Sequence, residues 1–280
     1  MEEKEYPAPR RRGRASGEGS SREPGVTTKQ AKEREDSMTE AEIFEFDLNG
    51  YIMYRNVLTR DQVDHMNGVL DEYLTEESFN FPFLHLDPMF MEVMALPRTL
   101  NILGTMIGDW MRLDHAYGLQ MDTLSEERGD TRPNLHGGPL EDNGEHHYQW
   151  FNGKMYNGLT VVMYALEDVN PGDGGFICVP GSHKANMDFK PAVNSHIVVN
   201  PAFRSGDMLI FTEALVHGTN TWTSSNKRRS LLYKYSPGHS TWAIPENWEK
   251  LRALAANDLQ RDLLRAPSIE GRTPVEIPEA

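Results

Sequence analysis

The chain is almost without cysteine: Cys178 is the one such residue in 280. A disulfide within the chain is therefore excluded, and a reducing, cytoplasmic setting is the expectation. Cys178 stands in an apolar, strand-like run, which predicts a buried and inert thiol rather than a nucleophile. No apolar run approaches the roughly 20 residues that cross a bilayer, so no membrane partner is expected. The first residues are charged and lack an apolar core, which argues against a secretory leader. Positive charge is also short: 28 Lys and Arg stand against 42 Asp and Glu, a net charge of −14. Nucleic acid, which asks for a basic face, is not an expected partner. A small anionic substrate stays open, because a local basic pocket can sit on an acidic protein. There is no Ser-His-Asp order, no Gly-rich phosphate loop and no Cys/His zinc cluster, so hydrolase and nucleotidyl-transfer chemistry find no support. No internal repeat is visible, and the oligomeric state cannot be read.

What is present divides by composition. Residues 1–37 are rich in Arg, Glu, Gly, Ser and Pro with almost no large apolar side chains, which predicts a disordered tail. The basic run Arg10-Arg11-Arg12 with Arg14 reads as a solvated part of it. Residues 38–280 read as a single domain, long enough to bury a core without staples. Phe44 to Val57 reads as a helical turn leading into a short strand, with Asn49-Gly50 between them. Thr59 is placed to cap a helix over Arg60–Leu74, in which Val63, Met66, Leu70 and Leu74 recur at helical spacing. A further helix is expected over Asp87–Ile107, either whole or divided at Pro97. Leu113–Met121 reads as a strand and Ser125–Pro133 as a loop. Short strands follow at Leu159–Leu166, Gly175–Pro180, Ile197–Val199, Asp207–Phe211 and Ser230–Tyr235, punctuated by Gly, Pro, Asn and Asp. A closing helix is expected over Trp248–Leu264, and an irregular tail after Pro267. Helices followed by many short strands predict a mainly β fold with peripheral helices, a double-stranded β-helix or jelly roll.

Two histidines carry the chemistry. His136 opens a His-Gly-Gly turn, and His217 lies 81 residues on in a His-Gly-Thr segment. A jelly roll can bring such distant residues face to face. Two neutral imidazoles suit Fe(II), and two histidines with a carboxylate are the ligand pattern of non-haem iron oxygenases. Arg229 stands on the next strand, where alternation puts it on one side with Leu231, Tyr233 and Tyr235. An arginine pointing into a barrel needs an anion, and its planar fork fits a carboxylate. A surface arginine at a strand entrance is the competing reading. Should Arg229 not serve, Arg228 and Lys227 stand next to it.

The segments FDLNGYIMYRNVLTRDQV, LNILGTMIGDWMRL, LEDVNPGDGGFICVPGSHK, GDMLIFTEALVHGT and RRSLLYKYSPGH, in that order, resemble the phytanoyl-CoA dioxygenase family of Fe(II)/2-oxoglutarate-dependent oxygenases. The resemblance covers about Phe44 to Pro267. It implies a double-stranded β-helix, the cofactors Fe(II), 2-oxoglutarate and O2, metal ligation by His136 and His217, and a grip by Arg229 on the distal carboxylate of 2-oxoglutarate. It further implies oxidation of an unactivated C–H bond in a small-molecule substrate.

The chain departs from the family at one place. The family motif is His-any-Asp, and here the carboxylate position is Gly138. A halide can fill the place, since a lost carboxylate leaves the metal more positive and one coordination position open. Halogenases of the same chemistry carry Gly or Ala there, so chlorination, with chloride as a further ligand at Gly138, is the favoured expectation. Water or a nearby acid, Glu141, Asp142 or Glu145, can fill it instead, giving a hydroxylase. A degenerate site that only binds is the third reading. Gly-Gly is also a common turn. Of the other histidines, His85-Leu86-Asp87 is a literal His-any-Asp, but its place before a helix makes Asp87 a cap. His146-His147 could serve as substituted ligands or touch substrate, but reads first as a polar loop pair, and His183 reads as a turn stabiliser in Pro-Gly-Ser-His. His65, His115, His196 and His239 read as structural or surface groups. Trp150 and Phe151 could line the pocket, with core packing the default expectation. Lys184, Lys190, Arg204, Lys227 and Arg228 are weak hints of an anionic substrate.

Overall fold

A computed structural model describes residues 37–75, 78–125, 127–129, 132–139, 144–243, 248–270 and 274–278. The chain divides into two units, Met1–Glu33 and Arg34–Ala280, and every described residue belongs to the second. The tail expected over residues 1–37 lies outside the described residues, except for Ser37.

The helical entry follows the local signals closely. Helix α1 (Glu40–Asn49) is opened by a capping box in which Thr39 and Glu42 each accept from the other's backbone amide. Gly50 closes it at φ +77° and turns the chain into strand β1 (Tyr51–Tyr54). Helix α2 (Arg60–Tyr73) begins at a second capping box, Thr59 with Gln62, and buries Val63, Met66 and Leu70. Strand β2 (Asn80–Phe81) follows. The expected helix over 87–107 is divided: α3 (Pro88–Met94) is capped by Asp87, and α4 (Pro97–Ile107) starts on Pro97. Proline lacks the amide that a helix interior requires, but at the first position no partner is needed.

The remaining strands are β3 (Met111–Met121), β4 (Asn134–His136), β5 (Tyr148–Phe151), β6 (Lys154–Asn157), β7 (Thr160–Ala165), β8 (Gly175–Cys178), β9 (Met208–Thr212), β10 (His217–Asn220) and β11 (Arg228–Pro237). Six of them form one antiparallel sheet in the order β1-β9-β7-β11-β3-β2, and three form another, β4-β10-β8. The hairpin β5–β6 stands by itself. Expected strand Ile197–Val199 is only a bridge, Val199 to Cys178. The expected closing helix is two: α5 (Trp248–Leu254) and α6 (Asp258–Leu263), the latter capped by Asn257. An Asn between two helical patterns offers its side chain to the second helix and so ends the first.

Strand alternation divides the core in two. Val162, Tyr164, Met208, Ile210, Leu231, Tyr233 and Tyr235 face the helices in one apolar cluster. Val161, Met163, Leu209, Phe211 and Leu232 face the other way, into a cluster with Phe176 and Cys178 of β8. The second cluster is the interior of a two-sheet jelly roll. Three buried tyrosine hydroxyls pin the helices to the sheet: Tyr233 and Tyr235 donate to the carbonyls of Phe90 and Met94, and Tyr164 pairs with Thr99 at 2.8 Å. Cys178 is fully buried, and burial pushes its thiol pKa up, as expected of an inert thiol.

Candidate active site

The three-stranded sheet places the two histidines. Strands β4 and β10 pair antiparallel with His136 directly opposite His217. The rings meet edge to face with centroids 4.4 Å apart. His217 is buried, whereas His136 faces solvent. The 81-residue gap is thus closed by register alone.

The His-Gly-Gly turn has its own backbone cause. Gly137 sits at φ +74°, and a Cβ there would lie 2.6 Å from the Leu215 carbonyl oxygen and 2.8 Å from that of Glu213. Only glycine fits that approach. Gly138, at φ +114°, would place a Cβ 3.3 Å from Val216 Cγ2, so it is strained for a side chain but less crowded.

Beside the pair stands a carboxylate that local reading passed over, Glu213, in the connection between β9 and β10. It is almost fully buried. Its Oε2 lies 3.6 Å from Nε2 of His217 and 3.8 Å from Nε2 of His146, and its Oε1 accepts from Lys234 Nζ at 2.5 Å. Burial opposes its charge, but Lys234 and the two imidazoles outweigh that and hold its pKa down at about 2. His146, read above as half of a polar loop pair, is buried, and its ring stacks on Trp242 at 5.4 Å. Of the carboxylates weighed for the vacant place, Glu141 and Asp142 lie outside the described residues. Glu145 is buried, and burial raises its pKa. Among the described residues no three His, Cys, Asp or Glu side chains are grouped closely enough to cage an ion as they stand. The donors approach one another in pairs.

The arginine expected to point into the barrel does not. Arg229 lies on the helix-facing side of β11, where Nε donates to Gln120 Oε1 at 2.8 Å and Nη2 pairs with Asp71 at 2.7 Å, while Nη1 reaches Asn67 of α2. Its neighbours Leu231, Tyr233 and Tyr235 pack against the helices, so the shared face is the outer one. Arg228 occupies the inner face. It is fully buried, and its hydrogen-bond acceptors are the thioether sulfurs of Met121 at 3.2 Å and Met163 at 3.7 Å. Sulfur is a weak acceptor, and burial lowers the pKa of this guanidinium to about 10. Gly175, at φ +77°, leaves the room: a Cβ there would lie 2.8 Å from Arg228 Nε.

Other expectations resolve simply. Asp87 caps α3 and accepts from His65 Nε2 at 3.1 Å, so His85-Leu86-Asp87 is no metal pair. His183 is fully buried in its turn, with Nε2 3.1 Å from the Asp47 carbonyl. Trp150 and Phe151 are exposed on β5 rather than in the core, because among the described residues the β5–β6 hairpin has no third strand to bury them; Trp150 instead lines a cavity of about 500 Å³ against α4. Lys184, Lys190 and Arg204 are engaged by Asp47, Asp188 and Asp168 on the surface, which explains them without a substrate. A cleft of about 350 Å³ between α2 and the loops after β7, before β9 and before β11 is lined by Arg60, Asp64, Asn67 and Glu167, and by none of these histidines. Among the described residues no helix is long and apolar enough to cross a membrane.

Comparison with known proteins bears on the fold. Residues 137–230 match the model of the phytanoyl-CoA dioxygenase (PhyH) family, a span that starts just after His136 and takes in Glu213, His217, Arg228 and Arg229. No curated protein matches the chain by sequence. Among solved structures, HygX from Streptomyces hygroscopicus with nickel and 2-oxoglutarate bound is similar at TM-score 0.67 and 22% identity, over 86% of this chain and 98% of that one. The apo form of HygX is similar at TM-score 0.64 and 25% identity, over 74% and 90%. SnoK, a non-haem α-ketoglutarate-dependent carbocyclase from nogalamycin biosynthesis, is similar at TM-score 0.55 and 17% identity, over 78% and 91%. Residues 137–230 thus match the phytanoyl-CoA dioxygenase family model, and the chain as a whole shares the jelly-roll fold of HygX and SnoK.

Proposed function

We propose that the protein is an Fe(II)- and 2-oxoglutarate-dependent oxygenase that functionalises a C–H bond of a small molecule. The observation that carries this reading is the buried guanidinium of Arg228, held by two sulfurs on the same interior face that the His136–His217 pair borders. The donor set suits the cofactors. His136 and His217 are the imidazoles that would hold the metal, and Arg228 would take the distal carboxylate of 2-oxoglutarate. Gly175, which makes room for Arg228, and Cys178, which pairs with His217, are three residues apart on β8, about 10 Å along the strand. That is a span for an extended five-carbon diacid joined to a metal at one end and a guanidinium at the other. Bound there, ferrous iron and 2-oxoglutarate would supply O2 activation, with one oxygen atom going to the C–H bond and the other to the succinate formed as CO2 leaves.

The chain's own groups perform the rest. The Leu215 carbonyl accepts from Nδ1 of His217 at 2.7 Å, which fixes the ring and leaves Nε2 free to face the site. Met121, Met163, Phe176 and Phe211 keep water from the interior. The relatives point to small polar substrates: HygX has been solved with hygromycin B, and EctD from S. alaskensis with 5-hydroxyectoine. A second reading, chlorination, has one observation in its favour: Gly138 carries no carboxylate beside His136. Product mass spectrometry with and without chloride separates the two, and a chlorinated product would establish the second.

The test of the main reading uses 2-oxoglutarate binding in the presence of Mn(II). Arg228→Ala is expected to raise the Kd of 2-oxoglutarate by 100-fold or more, on the order of 3 kcal/mol for a buried charge pair. Arg229→Ala is expected to leave that Kd within about threefold. The reverse ranking would return the role to Arg229.

A further inference from the structure

The metal pair lacks the carboxylate that position 138 supplies in the family, yet the barrel has buried another carboxylate next to it. His217 Nδ1–H donates to the Leu215 carbonyl, so Nε2 is the lone-pair nitrogen of the neutral ring. It faces Oε2 of Glu213 at 3.6 Å, too far for a hydrogen bond. Nε2 of His146 approaches the same oxygen at 3.8 Å. Two donors each roughly 2.1 Å from one ion stand about 3 Å apart when adjacent and about 4 Å apart when opposite. The observed separations fall within that range. Two lone-pair atoms facing across such a gap gain from a shared cation and gain little otherwise.

The other oxygen of Glu213 is held by Lys234 at 2.5 Å, which anchors the carboxylate without covering Oε2. Gly137 brings the two segments together, since its missing Cβ lets it lie against the carbonyls of Glu213 and Leu215. The glycine turn after His136 thereby docks on the segment that carries Glu213 and His217.

We propose that Glu213 supplies the carboxylate ligand in place of position 138, so that the metal is held by His136, His217 and Glu213, with His146 bordering the site. This rests on the oxygenase reading above. It has a chemical consequence: with three protein ligands in place, no coordination position is left vacant for a halide by Gly138, and oxygen transfer becomes the expected outcome.

The experiment measures Mn(II) binding to the full chain by calorimetry and electron paramagnetic resonance, without turnover. The wild type is expected to bind one Mn(II), and Glu213→Gln, which keeps an acceptor for Lys234, to weaken that binding by more than about 100-fold. Circular dichroism reports whether the variant is folded. Lys234→Met is the second variant. If Glu213 is a ligand, freeing it from its cation leaves Mn(II) binding equal or tighter. If Glu213 only partners Lys234, the two variants lose stability alike and bind Mn(II) as the wild type does. Binding by folded Glu213→Gln within about threefold of wild type overturns the ligand assignment alone. A wild type that binds neither Mn(II) nor 2-oxoglutarate overturns the oxygenase reading with it.

Discussion

His183 shows how a single buried imidazole ties stability to pH. It lies under Phe46 and Tyr148 in the turn after β8, with Asp47, Lys184 and the Tyr148 hydroxyl around it. Burial, reinforced by Lys184, lowers its pKa from 6.5 to about 4. The unfolded chain therefore takes up the proton first. Stability from the neutral ring is complete above about pH 6.5 and is lost as pH falls through the window from 6.5 to 4, by on the order of 3 kcal/mol. Urea unfolding at a series of pH values should show this slope in the wild type and a flatter one in His183→Gln; equal slopes would assign the acid sensitivity elsewhere. At the same scale, the site residues were unequally legible. His136 and His217 stand out as histidines flanked by glycine. Glu213 does not, because it lies four residues before His217 in a connection with no regular period. Its only sequence signal is the short Glu-any-any-any-His spacing, which has meaning only if both residues turn inward.

Strand β11 carries both the correction and its reason. Its ten residues alternate cleanly, with Tyr233 and Tyr235 against the helices and Leu232 in the interior. The alternation is plain in the sequence, but which set faces inward is not. Arg228 and Arg229 are neighbours, so an error of one residue in phase exchanges the faces they occupy. The helices α1 to α4 were more readable, because Thr39, Thr59, Asp87 and Pro97 act on amides within three residues of themselves. Strand β3 offers a test at this scale. Its Asp114 is fully buried and accepts from Arg112 at 2.8 Å and from the amides of Trp242 and Ala243 at 2.9 and 3.0 Å. Those contacts hold the segment whose Trp242 stacks on His146. Asp114→Asn leaves the Arg112 charge uncompensated in the core and is expected to cost about 3 kcal/mol in urea unfolding. A change below about 1 kcal/mol would show that the segment is held by other means.

Across the whole molecule, the cofactors are expected to act as a brace. Two strands of the smaller sheet, a loop acid and one strand of the larger sheet meet at the proposed site, so ligands there join both halves of the jelly roll. At 100 times their Kd, ligands that bind only the folded state add about 2.7 kcal/mol. For a domain of this size that is a rise in Tm of about 5 to 10 °C. Mn(II) with 2-oxoglutarate should produce that rise in a thermal scan, and a chelator should abolish it; no shift would place the cofactors elsewhere or nowhere. The sequence by itself determined the class of fold, the caps and turns and the burial of the one thiol, because each depends on composition, on neighbours a few residues away or on a repeating period. Only the tertiary structure decided which arginine faces the interior and which carboxylate accompanies His217. A period of two has no absolute phase until its strand lies between two layers, and a loop acid acquires partners only when distant segments are folded against it.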